Sequence, residues 1–209
     1  MNISKKSKNE VKYDLHIHSR YSDGINTPAE IIRWAKEIGL QGIAITDHDT
    51  AEGVPKAKKI AESLDIDLIP GLEITTPFGD ILALGIEEPI SGRAKNASDI
   101  IEIADKIHER GGLAIIAHPF AGFWKISFPE IIKEIKKAFD AIEVFNALSN
   151  INFSMGVNVM AMQLAKKAGL PGIAGSDAHT LGMIGTAYTI PEEDILSSIK
   201  KGKIKIGWE

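Results

Sequence analysis

No cysteine occurs in the 209-residue chain, and that single absence removes disulfide frameworks, thiolate metal ligands and cysteine nucleophiles together. It leaves the redox compartment undecided, because a cytosolic protein needs none. Aromatic residues are sparse at 6%, and they do not interleave with basic residues in a groove that could grip a single strand. Charge of one sign is missing too: 24 Lys and Arg stand against 28 Asp and Glu, a formal −4. Broad non-specific nucleic-acid binding needs a basic face, so long DNA or RNA is not an expected partner. No run approaches the roughly 20 apolar residues of a membrane span, and no Pro/Gly/Ser-rich linker divides the chain. The opening MNISKKSKNE is basic with no apolar stretch behind it, which reads as a flexible tail over 1–10 rather than a secretory signal. One domain over 11–209, cytoplasmic and with no membrane partner, is the expectation.

What the chain does have is histidine at the ends of short apolar runs. Five of its six histidines sit there: His16 and His18 in YDLHIHSRYSDG, His48 in GIAITDHDT, His118 in LAIIAHPF and His179 in GIAGSDAHT. Glu73 closes a further run, LIPGLEITT. Runs of this length, rich in Ile, Ala, Leu and Gly and separated by helical patterns, are the signature of buried parallel strands.

The alternation can be followed along the chain. Strands are expected near 12–18, 42–46, 66–74, 80–85, 113–117, 141–145, 172–175 and 203–206, with the third and fourth forming a hairpin. Helices are expected after Thr27, which can cap with Pro28 first and Glu30 third, and over 52–64, 99–110 with Ser98 as cap, 129–138, 155–168 and 192–200. Ligand-type side chains drawn from strands along the whole sequence must still converge. A barrel, whose C-terminal strand ends open onto one face, achieves that better than an open sheet.

Each motif has a physical reason. His16 and His18 are two apart on a strand, so a period of two puts both on one face and within reach of one ion. Asp23 follows in Ser-Asp-Gly, turn chemistry on its own, but placed to fold back over the strand mouth. Thr46-Asp47-His48-Asp49 ends a buried strand, with Asp47 and Asp49 candidates for capping or for orienting a neighbouring imidazole. A carboxylate on an apolar strand, as at Glu73, is costly unless paired or bound to metal, and its two oxygens suit it to bridge two ions. His118 precedes Pro119, which forces a turn. Asp177 and His179 repeat the two-residue spacing among small residues. Imidazole with carboxylate is the donor set for zinc, manganese and iron, and eight groups exceed the needs of one ion. Two to three divalent ions are therefore expected, and three would turn the net charge to about +2, focused in one cleft. His108 lies inside a helical pattern and reads as a boundary residue. Trp124 is a candidate to pack its loop or to stack on a base, and Lys200, Lys201, Lys203 and Lys205 read as solvated charge.

The ordered set of HxH at His16 and His18, SDG at Asp23, TDHD at His48, GLEI at Glu73, AHP at His118 and GSDAH at Asp177 and His179 resembles the polymerase and histidinol phosphatase (PHP) superfamily. The resemblance runs from about Tyr13 to Tyr188. It implies a distorted, TIM-like (β/α)7 barrel and a metal-dependent phosphoesterase acting by metal-bound hydroxide in a di- or trinuclear site. By that resemblance His16, His18, Glu73 and Asp177 hold one ion, Glu73 bridges to a second at His118, and Asp23, His48 and His179 hold a third. The implied substrate is a small phosphomonoester, a nucleotide or an oligonucleotide end. Histidinol phosphate and a non-catalytic, metal-stabilised role are the alternatives. Two departures stand out. Asp80 occupies a position where many relatives carry histidine, which makes it a candidate oxygen ligand. Leu148 and Ala121 fall where relatives in the stand-alone branch of the superfamily, which includes nucleoside monophosphate phosphatases and 5′-to-3′ oligoribonucleotide trimming enzymes, often carry arginine, leaving Arg20 as the candidate phosphate-binding cation.

Overall fold

A computed structural model describes residues 10–121, 127–153 and 155–209. The elements run β1 (Tyr13–Asp14), α1 (Pro28–Glu37), β2 (Gly42–Ile45), α2 (Val54–Leu64), β3 (Asp67–Thr76), β4 (Gly79–Leu84), α3 (Ala97–Glu109), β5 (Leu113–Ile116), α4 (Phe128–Ile135), β6 (Ala141–Asn146), α5 (Ala147–Phe153), α6 (Met155–Ala168), β7 (Gly172–Gly175), β8 (Ala187–Pro191), α7 (Ile195–Lys200) and β9 (Ile204–Trp208). The local signals behave as their chemistry requires. Thr27 Oγ1 accepts from Glu30 N at 3.2 Å while Glu30 Oε2 accepts from Thr27 N at 2.8 Å, so α1 begins in a complete capping box with Pro28 in its first turn.

Nine strands form one sheet in the order β7-β6-β5-β4-β3-β2-β1-β8-β9. The neighbours β1–β2–β3 and β5–β6–β7 pair in parallel, and β4 runs antiparallel between β3 and β5. The sheet curls until its first and seventh strands meet. There Ile17 bridges Ala178, His18 N donates to Ala178 O at 2.9 Å, and Asp14 accepts Ser176 N at 3.0 Å and Gly185 N at 2.8 Å. Thr189 completes the seam, its hydroxyl accepting from Ala174 N and donating to Ala174 O, both at 3.0 Å. The result is a nearly closed α/β barrel of nine strands rather than a strict (β/α)7.

Two hydrophobic layers hold it. Leu15, Ala44, Leu82, Leu84, Ile115, Ala141 and Ile173 pack inside, with Ile195 and Ile199 of α7 against them. Outside, α3, α4 and α6 cover the β3–β7 side, and α1 and α2 cover β2. Burying each Leu or Ile contributes about 1.5–3 kcal/mol, so the frame beneath the strand ends is stiff.

Three local expectations change. Asn96, not Ser98, caps α3, accepting from Ser98 N at 2.8 Å and Asp99 N at 3.2 Å. Both α5 and β8 are additional to the expected elements. Only Tyr13–Asp14 of the first expected strand forms regular ladder; beyond it Ile17 makes an isolated bridge to Ala178 and accepts from Thr46 N at 2.8 Å, while its own N donates to the Thr46 hydroxyl instead of a ladder carbonyl. Most of the expected tail, 1–9, and Trp124 lie outside the described residues. No described helix is long and apolar enough to cross a membrane.

Candidate metal centre

Five strands point their C-terminal ends toward one face and antiparallel β4 brings its N-terminal end there, and the candidate residues arrive from each. His16 and His18 follow β1, His48 follows β2, Glu73 stands on β3, Asp80 on β4, His118 follows β5, and Asp177 and His179 follow β7. Glu73 is locked to the second strand's loop, with Asp49 N donating to Glu73 O at 2.8 Å and Glu73 N donating to Asp47 O at 3.2 Å. Asp177 is held at φ 57°, a left-handed conformation uncommon outside glycine, the kind of backbone strain that collects at functional sites.

The side chains converge on shared points. His16 Nε2 and His18 Nε2 lie 3.1 Å apart, each 3.1 Å from Glu73 Oε2, and Asp177 Oδ1 is 3.2 Å from His18 Nε2. The other Glu73 oxygen, Oε1, is 3.0 Å from His118 Nε2. At the outer edge Asp23 Oδ2 lies 3.1 Å from His179 Nε2 and 3.8 Å from His48 Nε2, while Asp23 Oδ1 is 3.4 Å from His18 Nδ1. Exposure rises across the cluster from 0% for the His16 side chain to 35% for His48 and 54% for Asp23. One side is sealed and the other is open.

Residues behind the cluster fix its tautomers. Glu143 Oε1 accepts from His16 Nδ1 at 3.0 Å, and its Oε2 accepts from His118 N at 2.9 Å and Asn146 Nδ2 at 3.0 Å. His179 Nδ1 faces the Asp177 carbonyl at 2.9 Å, an acceptor only, so that nitrogen carries the proton. Both arrangements turn an Nε2 lone pair toward oxygen acceptors, where neutral imidazole is repelled. Only an extra proton or a cation relieves that contact. In the metal-free state protons do so. Burial alone would lower the His16, His18 and His118 pKa values, but the carboxylates around them prevail: His16 is held well above the usual range, His18 reaches about 9 and His118 about 10. Burial would likewise raise Glu73 and Asp177, yet the neighbouring imidazoles hold both low.

The donor set fits divalent ions. Ligand atoms of His16, His18 and Asp177, of Glu73, Asp80 and His118, and of His18, Asp23 and His48 lie within 4.8 Å of one another in each group. Glu143 also falls in such a group with His16 and His118, but its lone pairs already serve three donors, so it acts as a buttress. Asp80 behaves differently. It is 6% exposed, its Oδ1 is buried without a hydrogen-bond partner among the described residues, and burial followed by the Glu73 charge raises its pKa to about 7. An orphaned buried carboxylate oxygen beside two other donors is what an absent cation leaves behind.

Other candidates are placed elsewhere. Asp47 accepts from Ser19 N at 2.6 Å, Ser19 Oγ at 2.7 Å and Ser22 Oγ at 2.9 Å, so it holds the loop that carries Asp23 rather than orienting an imidazole. Asp49 Oδ1 accepts from Thr75 N at 3.1 Å. Arg20 is exposed beside the start of α1, where it helps the hydrogen bonds from Thr27 keep the Glu30 carboxyl low. His108 is exposed on α3, with Nε2 2.8 Å from Asp140 Oδ2. Glu143 was not among the sequence candidates, although AIEVFN carries the same signal as Glu73, a carboxylate inside an apolar strand.

Comparison with known proteins agrees with the geometry. Residues 14–109 match the PHP domain model and residues 156–204 match the PHP-associated model. The chain is 33% identical to an uncharacterised protein of Methanocaldococcus jannaschii, over 76% of this chain and 96% of that one. It is 34% identical to a 5'-3' exoribonuclease of Haemophilus influenzae, over 48% of this chain and 41% of that enzyme, so less than half of the exoribonuclease is spanned. Among solved structures, a two-domain protein from Bacteroides vulgatus containing a predicted PHP-like metal-dependent phosphoesterase superposes with a TM-score of 0.71 at 20% identity, over 99% of this chain and 70% of that one.

Proposed function

The chain belongs to the PHP family, and from that premise we propose that it is a metal-dependent phosphoesterase whose substrate is a small phosphomonoester, a nucleotide or a short oligonucleotide end. Residues 11–209 are read as one such domain. The observation that carries the proposal is the convergence on one point of imidazole Nε2 atoms and carboxylate oxygens, an array that neutral imidazoles can form only around a cation, at His16 Nε2, His18 Nε2, Glu73 Oε2 and Asp177 Oδ1.

His16, His18, Glu73 and Asp177 would hold one ion, Glu73 with His118 and Asp80 a second, and Asp23, His48 and His179 a third. Two or three divalent ions there, zinc, manganese or iron, would supply an activated water at neutral pH and neutralise the phosphoryl oxygens. The chain's own contribution is position. Glu143 fixes the His16 ring through Nδ1 and holds the His118 backbone through N, so one imidazole is oriented directly and the segment that carries the other is anchored beside it. Asp47 pins the Ser19–Ser22 loop and thereby places Asp23 at the open edge. Buried Leu15, Ile115 and Ile173 lie inside the barrel, where apolar walls exclude water from the inner ligands and strengthen electrostatics at the phosphorus. A small substrate fits the chain's near-neutral charge and its lack of a basic stripe, which supply little binding surface along a polymer.

The test is a hydrolysis screen of mononucleotides, dinucleotides, histidinol phosphate, sugar phosphates and an aryl phosphate after loading with manganese, zinc or iron. Hydrolysis abolished by chelator and restored by metal is expected. Absence of hydrolysis across the whole set under every metal would overturn the proposal, and exclusive cleavage of histidinol phosphate would replace its substrate class.

A further inference from the structure

β6 supplies none of the candidate ligands, yet two of its side chains stand behind those of the first ion. In a regular strand, residues three apart face opposite sides, so Glu143 and Asn146 would not share a face. They do, because the ladder to β7 is irregular between them: Glu143 pairs with Ile173 and Phe145 with Ala174, which leaves Val144 as an extra residue. A bulge of this kind re-aims the side chains beyond it and is common beside functional sites. Here it turns Asn146, which is 1% exposed, onto the same side as Glu143.

The hydrogen-bonding groups of Asn146 are engaged on every side. Asn146 Oδ1 accepts from Ser149 N at 2.7 Å. A backbone N–H can only donate, so the atom facing it is the oxygen and the NH2 group faces the other way. Nδ2 divides its two hydrogens between two carboxylates, donating to Glu143 Oε2 at 3.0 Å and to Asp177 Oδ2 at 3.1 Å. Asn158 of α6 clamps the main chain, its Oδ1 accepting from Asn146 N at 3.1 Å and its Nδ2 donating to Asn146 O at 3.2 Å. The consequence falls on Asp177. With Oδ2 held by Asn146, the oxygen left facing the imidazoles is Oδ1, 3.2 Å from His18 Nε2 and 3.5 Å from His16 Nε2. Glu143 in turn accepts from His16 Nδ1 at 3.0 Å, so one neutral NH2 group ties the buttress of His16 to the carboxylate of Asp177. A lysine or arginine could bridge the same two carboxylates, but its fixed positive charge would oppose a cation in front of them, whereas an amide gives direction without charge.

Resting on the metal-dependent reading above, we infer that Asn146 is a positioning residue. Its carboxamide selects which oxygen of Asp177 is offered to the ion held by His16 and His18, and it keeps Glu143 in register with that oxygen. The bulge at Val144 is the device that brings it there.

The experiment loads chelator-stripped protein with cobalt(II), whose visible absorption reports the number and geometry of its ligands. Wild type is compared with Asn146→Ala, with Asn146→Asp and, as a control for lost stability, with Asn96→Ala, whose side chain bonds only Ser98 N and Asp99 N among the described residues. Affinity is read by competition against a chromophoric chelator, and folding by circular dichroism. Asn146→Ala frees Asp177 Oδ2. Asn146→Asp keeps the shape and the acceptor for Ser149 N but turns an oxygen toward both carboxylates. Either variant is expected to weaken cobalt binding about 10- to 100-fold and to change the shape of the visible bands, while Asn96→Ala lowers the melting temperature and changes neither. Unchanged affinity and spectrum in a folded Asn146 variant, the same changes in Asn96→Ala, or failure of both Asn146 variants to fold with metal present overturns the positioning role. Because no readout is hydrolysis, wild type that binds cobalt and hydrolyses nothing refutes the activity alone, and the spectra still decide the role of Asn146. Wild type that binds no cobalt refutes the metal centre and this inference together.

Discussion

Glu143→Gln tests whether the carboxylate behind the cluster sets the donor geometry in front of it. Glu143 uses Oε1 for His16 Nδ1 and Oε2 for two further donors, His118 N and Asn146 Nδ2. Glutamine has the same shape and half the acceptors. If its oxygen accepts from His16, its NH2 points at two N–H donors; if it flips, an N–H points at His16 Nδ1 and drives the imidazole proton to Nε2, where a metal must bind. Each choice leaves a buried donor unmatched, at about 1–3 kcal/mol. Metal affinity should fall about 10–100-fold, as expected when the partner of a ligating histidine is lost. The assay is competition against a chromophoric chelator at neutral pH, with far-ultraviolet circular dichroism to confirm that the fold persists. Unchanged affinity in a folded Glu143→Gln protein would refute the reasoning and return Glu143 to an ordinary buried ion pair.

Asp80→Asn should act in opposite directions with and without metal. The raised Asp80 pKa, about 7, means that the metal-free protein loses stability as pH rises from the ordinary carboxylate range through that value. The substitution should therefore raise the melting temperature of metal-free protein at about pH 8 while lowering metal occupancy of the loaded protein; a lower metal-free melting temperature there contradicts it. Metal loading should release protons, because His18 and His118, at about 9 and 10, are imidazolium in the neutral metal-free protein and must be neutral to ligate. With these raised values the metal-free protein keeps their stabilisation below the ordinary histidine range and loses it as pH climbs through 9 to 10. Calorimetry in buffers of different ionisation enthalpy reads the released protons, and a buffer-independent heat contradicts the assignment. Gly175→Ala places a Cβ 2.6 Å from His16 Cβ and 2.9 Å from Glu143 Oε1, so it should cost about 1–3 kcal/mol by overpacking and reduce metal content; equal stability and content would show that the seam yields.

Much of this was legible from residue order alone. The period of two at His16 and His18 places both rings on one face, as their 3.1 Å approach shows, and the Thr27 capping box follows from its spacing. The antiparallel return of β4 was visible as two short apolar runs with a turn between them. What stayed hidden depends on tertiary contact. Glu143 is distinguished from a structural ion pair only by the two histidine segments that meet it, and those lie 127 and 25 residues away. The cap of α3 moved from Ser98 to Asn96 because both are good caps, and only the path of the backbone into the helix, which points Ser98 N and Asp99 N at the Asn96 side chain, decides between them. β8 is short and half-buried, too weakly patterned to announce itself, and its place is set by Thr189 closing the barrel.

The most direct test of the central claim is a titration of chelator-stripped protein with manganese, following bound metal by elemental analysis and hydrolysis of a nucleotide in the same samples. The account predicts activity that is absent in stripped protein, rises with bound metal and saturates at two to three ions per chain, with activity lost and at least one ion fewer bound in His16→Ala/His18→Ala protein that keeps its fold. Full hydrolysis by protein shown to carry no metal, or saturation without any binding to the His16 and His18 pair, would contradict it.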